Sequence, residues 1–232
     1  MVLTISSRKG GCGKTVLATI LAAILSEEGI DVALLDTDPN RTAYRWATET
    51  RSPPITGYAE ADAERLADLL PGLAERHGVL IVDTAGFGNQ AATVAAAGAD
   101  MVLVPVTPGE GDLVEAQRTV SYVEGLARST RRAIPVRVIA NRIRRNTTLS
   151  RHVLTELETL KLPRLQTVLS EAVSFGEIGF SGVLPRDGTS ASEITSLMTE
   201  LRKAGWLPTL RKAVKASSQK DAKSQSGEGV KV

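Results

Sequence analysis

The sequence predicts an α/β protein, a doubly wound, mostly parallel sheet with helices on both faces. Three observations predict it. Short apolar runs recur between turn residues, and most are continuous rather than alternating, as in strands covered on both faces. Helical patterns separate them, so strand and helix alternate along the chain. Aromatics make up only 3% of the residues while apolar residues make up 42%, so the core is built from Ala, Val, Leu and Ile, which suits stacked layers.

The elements follow in order. Val2 to Ile5 is the first strand, and a glycine-rich loop joins it to a helix over Thr15 to Glu28, where Leu17, Ile20, Leu21, Ile24 and Leu25 recur at helical spacing. Val32 to Leu35 is the second strand. A weaker helical pattern covers Ala59 to Arg76, followed by strands at Val79 to Val82 and Met101 to Val106. Asp112 to Arg128 reads as a helix, Val136 to Ala140 as a strand, Leu149 to Leu160 as a weaker helix and Leu165 to Leu169 as the last strand. Ser190-Ala191-Ser192-Glu193 has the form of a capping box opening a helix through Lys203.

The chain of 232 residues is long enough for one sizeable core, and we divide it into a domain over residues 1–210 and a basic tail over 211–232. The tail has six Lys/Arg against two Asp/Glu, so it carries +4 of a net charge of +2 and leaves −2 on the rest. Its Gly, Ser and Lys content, without apolar periodicity, predicts disorder. The single cysteine excludes an internal disulfide and argues against a Cys-ligated cluster. No leader or long apolar run stands out, so the expected location is cytoplasmic.

The loop reads Ser6-Ser7-Arg8-Lys9-Gly10-Gly11-Cys12-Gly13-Lys14-Thr15. Strand, glycine loop and helix in this order form a phosphate-binding loop, whose backbone N–H groups and helix N-terminus surround phosphate oxygens. Lys14 is placed to reach the β- and γ-phosphates, and the Thr15 hydroxyl to ligate Mg²⁺. The strict pattern has glycine where Arg8 stands, so this is a variant.

Two strands bring acids to the same end of the sheet. Asp36 and Asp38, two apart after an apolar strand, face the same way. One can hold a Mg²⁺-bound water while the other orients the attacking water; Asp38-Pro39-Asn40 is also good turn chemistry. Val79 to Val82 ends in Asp83, the form of a Walker B strand, with a γ-phosphate-sensing loop expected over 84–88. Guanine-specific GTPases carry Asn-Lys-x-Asp after a late strand, whereas Ala140-Asn141-Arg142-Ile143-Arg144 has no such acid, and adenine is favoured.

The run Lys9 to Thr15 resembles the deviant Walker A motif of the ParA/MinD ATPases, and Asp36-Thr37-Asp38-Pro39-Asn40 resembles the Asp-x-Asp-Pro-Gln segment of ParA proteins. This resemblance implies ATP and Mg²⁺ bound by Lys9, Gly10, Gly11, Cys12, Gly13, Lys14, Thr15 and Val16, with Asp36 and Asp83 at the metal, Asp38 hydrolytic and Asn141 at the base. It also implies that Lys9 crosses to the triphosphate of a second subunit, making an ATP-bound homodimer. Val16 departs from the second Thr or Ser of many relatives, and Asn40 from their Gln.

Eight arginines and no acid lie between Arg128 and Arg151. Arginine clusters bind phosphate without reading sequence. Among them Arg142, Arg144, Arg145 and Arg151 are the expected contacts to non-specific DNA. The resemblance then implies a nucleoid-associated DNA-partition ATPase, weak alone and stimulated by a centromere-binding, ParB-like adaptor. The alternative is a MinD-like positioning ATPase that uses Trp206 to Lys215 as an amphipathic membrane anchor, although Pro208 interrupts that segment. A metabolic ligase on the same loop leaves the arginines unexplained.

Overall fold

The computed structural model describes residues 1–86 and 89–209. The tail over 211–232 lies outside the described residues, as do Phe87 and Gly88 of the expected switch loop. Seven parallel strands form one sheet in the order β3-β2-β4-β1-β5-β6-β7, made of β1 (Val2–Ile5), β2 (Val32–Asp36), β3 (Thr56–Ala59), β4 (Val79–Asp83), β5 (Met101–Val106), β6 (Val136–Ile143) and β7 (Arg164–Ser170). The expected α/β sheet is present, and within it all strand pairs are parallel.

Every residue of β1, β2, β4 and β5 is buried, which is why these strands read as unbroken apolar runs. Alternate residues serve opposite layers. Leu3, Ile5, Leu34 and Ile81 pack on the face covered by α1 (Lys14–Glu27), α7 (Val173–Ser181) and α8 (Gly188–Lys203). Val2, Leu35, Leu80 and Val82 face α3 (Ala63–Arg76) and α4 (Gln90–Ala97), and Val102, Val104 and Val138 face α5 (Glu110–Thr130) and α6 (Thr148–Thr159).

One strand and three helices were not anticipated. Thr56–Ala59 is a four-residue edge strand with one exposed and three half-buried residues, so the helix expected from Ala59 instead begins at Ala63, capped by the Asp62 carboxylate on the N–H of Arg65. Val173–Ser181 contains two glycines, which mask its helical pattern. A short α2 (Thr42–Arg45) runs into a wider turn at Trp46–Thr50, and α4 begins at Gln90, its N-cap Asn89 accepting from Ala91 N.

The capping box at Ser190 does not form. Helix α8 starts two residues earlier, at Gly188, and the Ser190 hydroxyl pairs with that of Ser174 at 2.8 Å. Glu193 turns instead to β7, accepting from Ser170 N and Oγ at 2.9 Å each. Tertiary partners outbid the local motif.

Strand β7 is an edge, and α8 caps its free N–H groups. Glu200 accepts from Gln166 N at 2.6 Å, Thr167 N at 2.8 Å and Thr167 Oγ1 at 2.7 Å. Partial burial opposes ionisation, but these donors outweigh it and hold the carboxyl below its usual range. The stabilisation is therefore present above the ordinary carboxyl pKa and lost as pH falls below it. Glu200→Ala is expected to lower stability by about 1–3 kcal/mol at neutral pH, with the gap to the parent closing in acid, as read from urea midpoints.

Candidate functional site

Strand β1 lies mid-sheet between β4 and β5, so the loop that follows it opens at the carboxyl ends of the central strands. The loop closes on itself. Lys14 Nζ donates to the Lys9 carbonyl at 3.0 Å, and Cys12 Sγ donates to the same oxygen at 3.4 Å. Gly11 and Gly13 take φ of +75° and +94°, and a Cβ on Gly13 would stand 2.3 Å from Asn141 Nδ2. Around Gly10 and Gly11 a Cβ would meet nothing within 4 Å, so the loop is open on that side.

Thr15 Oγ1 donates to Asp83 Oδ2 at 2.6 Å, joining the first turn of α1 to the end of β4. Asp83 is almost fully buried, and its other oxygen, Oδ1, has no partner. Burial pushes its carboxyl up to about 7, with the nearby Asp36 charge adding to the rise and Thr15 opposing it. An orphaned buried carboxylate oxygen beside a threonine hydroxyl fits a divalent cation. Thr15 and Asp83 are the residues that would hold Mg²⁺. Among the described residues no three acid, His or Cys side chains gather as a self-sufficient metal site, so phosphate oxygens and water would complete the shell.

Asp36 is placed differently from expectation. It is buried, but both oxygens serve backbone N–H groups, of Asp38 at 2.8 Å and Tyr44 at 3.1 Å. Burial raises its pKa, against the pull of those donors. Asp36 thus anchors the segment that carries Asp38. Asp38 is half-exposed, and its Oδ1 accepts from Asn40 N at 2.8 Å, the expected turn contact. Asn141 is buried and donates to the Cys12 carbonyl at 2.8 Å, tying β6 to the loop. Val16 packs partly against the core.

Lys9 stands at the loop mouth with its side chain 47% exposed, and its Nζ lies 2.6 Å from Asp112 Oδ1 at the start of α5. Arg8 is held similarly, its Nε 3.0 Å from Glu115 Oε2. The sequence marked Lys9 but missed both acids. They lie more than 100 residues downstream.

The arginine group runs from the end of β6 through the following loop into α6. Arg142, Arg144, Arg145 and Arg151 are all exposed. Acids from later in the chain meet two of them: Glu171 pairs with Arg144, and Glu193 with Arg145 at 2.9 Å. Two other arginines are committed elsewhere, Arg132 to the Ala97 carbonyl at 2.8 Å and Arg137 over the Trp206 ring. Trp206 and Leu207 are themselves buried in the core, so the first apolar residues of the expected membrane segment do not face lipid; the part from Leu210 lies outside the described residues. No helix of the described residues is long and apolar enough to cross a membrane.

Residues 3–185 match the model of the CobQ/CobB/MinD/ParA nucleotide binding domain. The chain belongs to this family of nucleotide-binding ATPases. Among similar proteins of this family, VirC1 of Rhizobium radiobacter is 32% identical over 192 residues, 79% of this chain and 82% of VirC1. ParA of the same organism is 32% identical over 108 residues, 46% of this chain and 49% of ParA, so that match spans about half of the relative. The McdA–ATP complex of Cyanothece superposes with a TM-score of 0.74 at 16% identity, covering 90% of this chain and 97% of McdA, a likeness of fold.

Because Asp83 ionises less readily folded than unfolded, the ligand-free protein should lose stability as pH rises from about 4 to about 7 and then level off. Asp83→Asn should remove this part of the pH dependence, raising the melting temperature above the parent's at pH 7 by a few degrees while leaving the two alike near pH 4. Thermal scans across pH read it.

Proposed function

We propose that this chain is an ATP-switched DNA-partition ATPase that pairs face to face around ATP, binds DNA without sequence preference as a pair, and is released when an adaptor protein stimulates hydrolysis. The observation that carries the reading is Lys9: a half-exposed ammonium at the loop mouth, tied to the chain's own surface by one side-chain ion pair. A triphosphate held between two faces is best neutralised by cations from both. The match to ParA supports the partition role.

Each residue of the site has a task. Lys14 supports the β- and γ-phosphates from within the loop, and Lys9 adds charge from the second copy. Asp38, with Oδ1 fixed by Asn40, turns its carboxylate to the attacking water, while Asp36 fixes the backbone beneath it. Mg²⁺, when bound at Thr15 and Asp83, supplies charge neutralisation between the phosphates. Asn141 braces the loop through Cys12, and we assign its adenine contact to the same side chain. Arg142, Arg144, Arg145 and Arg151 supply the DNA surface, and the basic tail adds charge of the same sign.

The membrane-anchored reading has less support, since Trp206 and Leu207 are core residues. Co-sedimentation with DNA and with anionic vesicles, each with and without ATP, separates the two: ATP-dependent DNA binding is expected, and vesicle binding in its place would reject the proposal. Lys9→Ala should abolish ATP-dependent pairing in sedimentation velocity; an unchanged pair rejects the trans-acting lysine. Asp38→Ala should slow ATP turnover about 100-fold and leave pairs trapped on DNA.

A further inference from the structure

Below the arginine surface an open cleft of about 330 Å³ lies between α6, the end of β6 and β7. Arg144, Arg145 and Arg151 line it, together with Asn146, Ser150 and Glu193. Ser150 is the informative member. It is 3% exposed, and its hydroxyl has no hydrogen-bond partner. Ser150 sits in the first turn of α6, where the carbonyl four residues back belongs to Asn146, outside the helix at positive φ, so it lacks the intrahelical acceptor that Thr155 and Ser192 use. An unused buried hydroxyl opposes folding and is rare, and the three arginines that line the same cleft give the missing partner a sign.

From this cleft we infer a seat for one phosphodiester group of a DNA backbone. Ser150 Oγ donates to a phosphate oxygen, the first turn of α6 presents its positive end, and the arginines supply charge-assisted hydrogen bonds. The acids at the cleft do not cancel this. Glu193 already accepts from Ser170 N, Ser170 Oγ and Arg145, and serves to fix the direction of the Arg145 fork. Glu171 engages Arg144 and is held below the usual carboxylate range by that hydrogen bond. Arg151 takes no part in either ion pair.

The source of the phosphate rests on the DNA reading above, whereas the seat itself does not, and the experiment separates them. The full chain is loaded with Mg²⁺ and a non-hydrolysable ATP analogue, so that the loop is filled. Random-sequence duplex DNA is titrated by fluorescence anisotropy across salt concentrations. Ser150→Ala should weaken binding about tenfold, the loss of a hydrogen bond to a charged group. Its ligand-free thermal stability should be unchanged or raised, because the removed hydroxyl had no partner; a purely structural serine would give the reverse. Arg151→Gln should flatten the salt dependence by about one unit of slope, and Arg118→Gln, away from the cleft, should not.

In parallel, inorganic phosphate is titrated against the loaded protein while the Ser150 and Arg151 amide resonances are followed. Phosphate-dependent shifts that Ser150→Ala removes support the seat even if DNA does not bind, in which case the DNA reading falls alone. DNA binding that Ser150→Ala and Arg151→Gln leave intact, with no phosphate-dependent shifts, overturns the seat and leaves the DNA reading standing.

Discussion

The hydrogen bond from Thr15 to Asp83 is the constraint on which the site depends. It crosses from the P-loop helix to a neighbouring strand, so it exists only if β1 and β4 are adjacent and in register, with Ile5 opposite Asp83. Continuous burial of both strands fixes that register, because a one-residue slip would exchange the layers that Leu3 and Ile5, or Leu80 and Val82, pack against. The same burial leaves Asp83 with a raised pKa and an unsatisfied oxygen. Folding therefore builds a carboxylate site whose unfavourable charge a bound cation relieves, and ligand affinity becomes folded-state stability.

Much of this was legible in the sequence where burial is symmetric. Val2–Ile5 and Met101–Val106 were delimited to the residue, since a strand covered on both faces is an uninterrupted apolar run bounded by turns. Thr56–Ala59 escaped because it is a short edge strand containing glycine and tyrosine, and α7 because Gly176 and Gly179 dilute its pattern. The loop, Lys14, Thr15 and Asp83 were legible because each sits at a junction of strand and turn, where the period breaks.

What the sequence hid was the demand of backbone groups brought near by folding. Spacing shows that Asp36 and Asp38 leave the strand on one side; it does not show that N–H groups of Asp38 and Tyr44 engage both oxygens of Asp36. Ser190 and Glu193 have the local form of a cap, yet the unpaired N–H of Ser170 on an edge strand is the stronger claimant for the carboxylate. The arginines tell the same story. A linear window from 128 to 151 contains no acid, but Glu171 and Glu193 enter from the end of β7 and from α8, turning a loose field of charge into guanidinium groups with fixed directions.

The ion pairs at the loop mouth bear on how such a site rests between cycles. Arg8 and Lys9 both pair with α5, through Glu115 and Asp112, so the chain holds the two loop-mouth cations on one helix. The Lys9 partnership is asymmetric: the lysine is half-exposed, whereas Asp112 is 6% exposed. For the lysine, leaving is inexpensive, because water replaces the lost partner at its half-exposed ammonium. For Asp112 it is not, because a buried carboxylate without a donor is disfavoured. The balance returns Lys9 to α5 unless a stronger anion draws it away. A triphosphate across a subunit boundary is such an anion, and its loss on hydrolysis would restore the intrachain pair, giving the proposed switch a defined resting state.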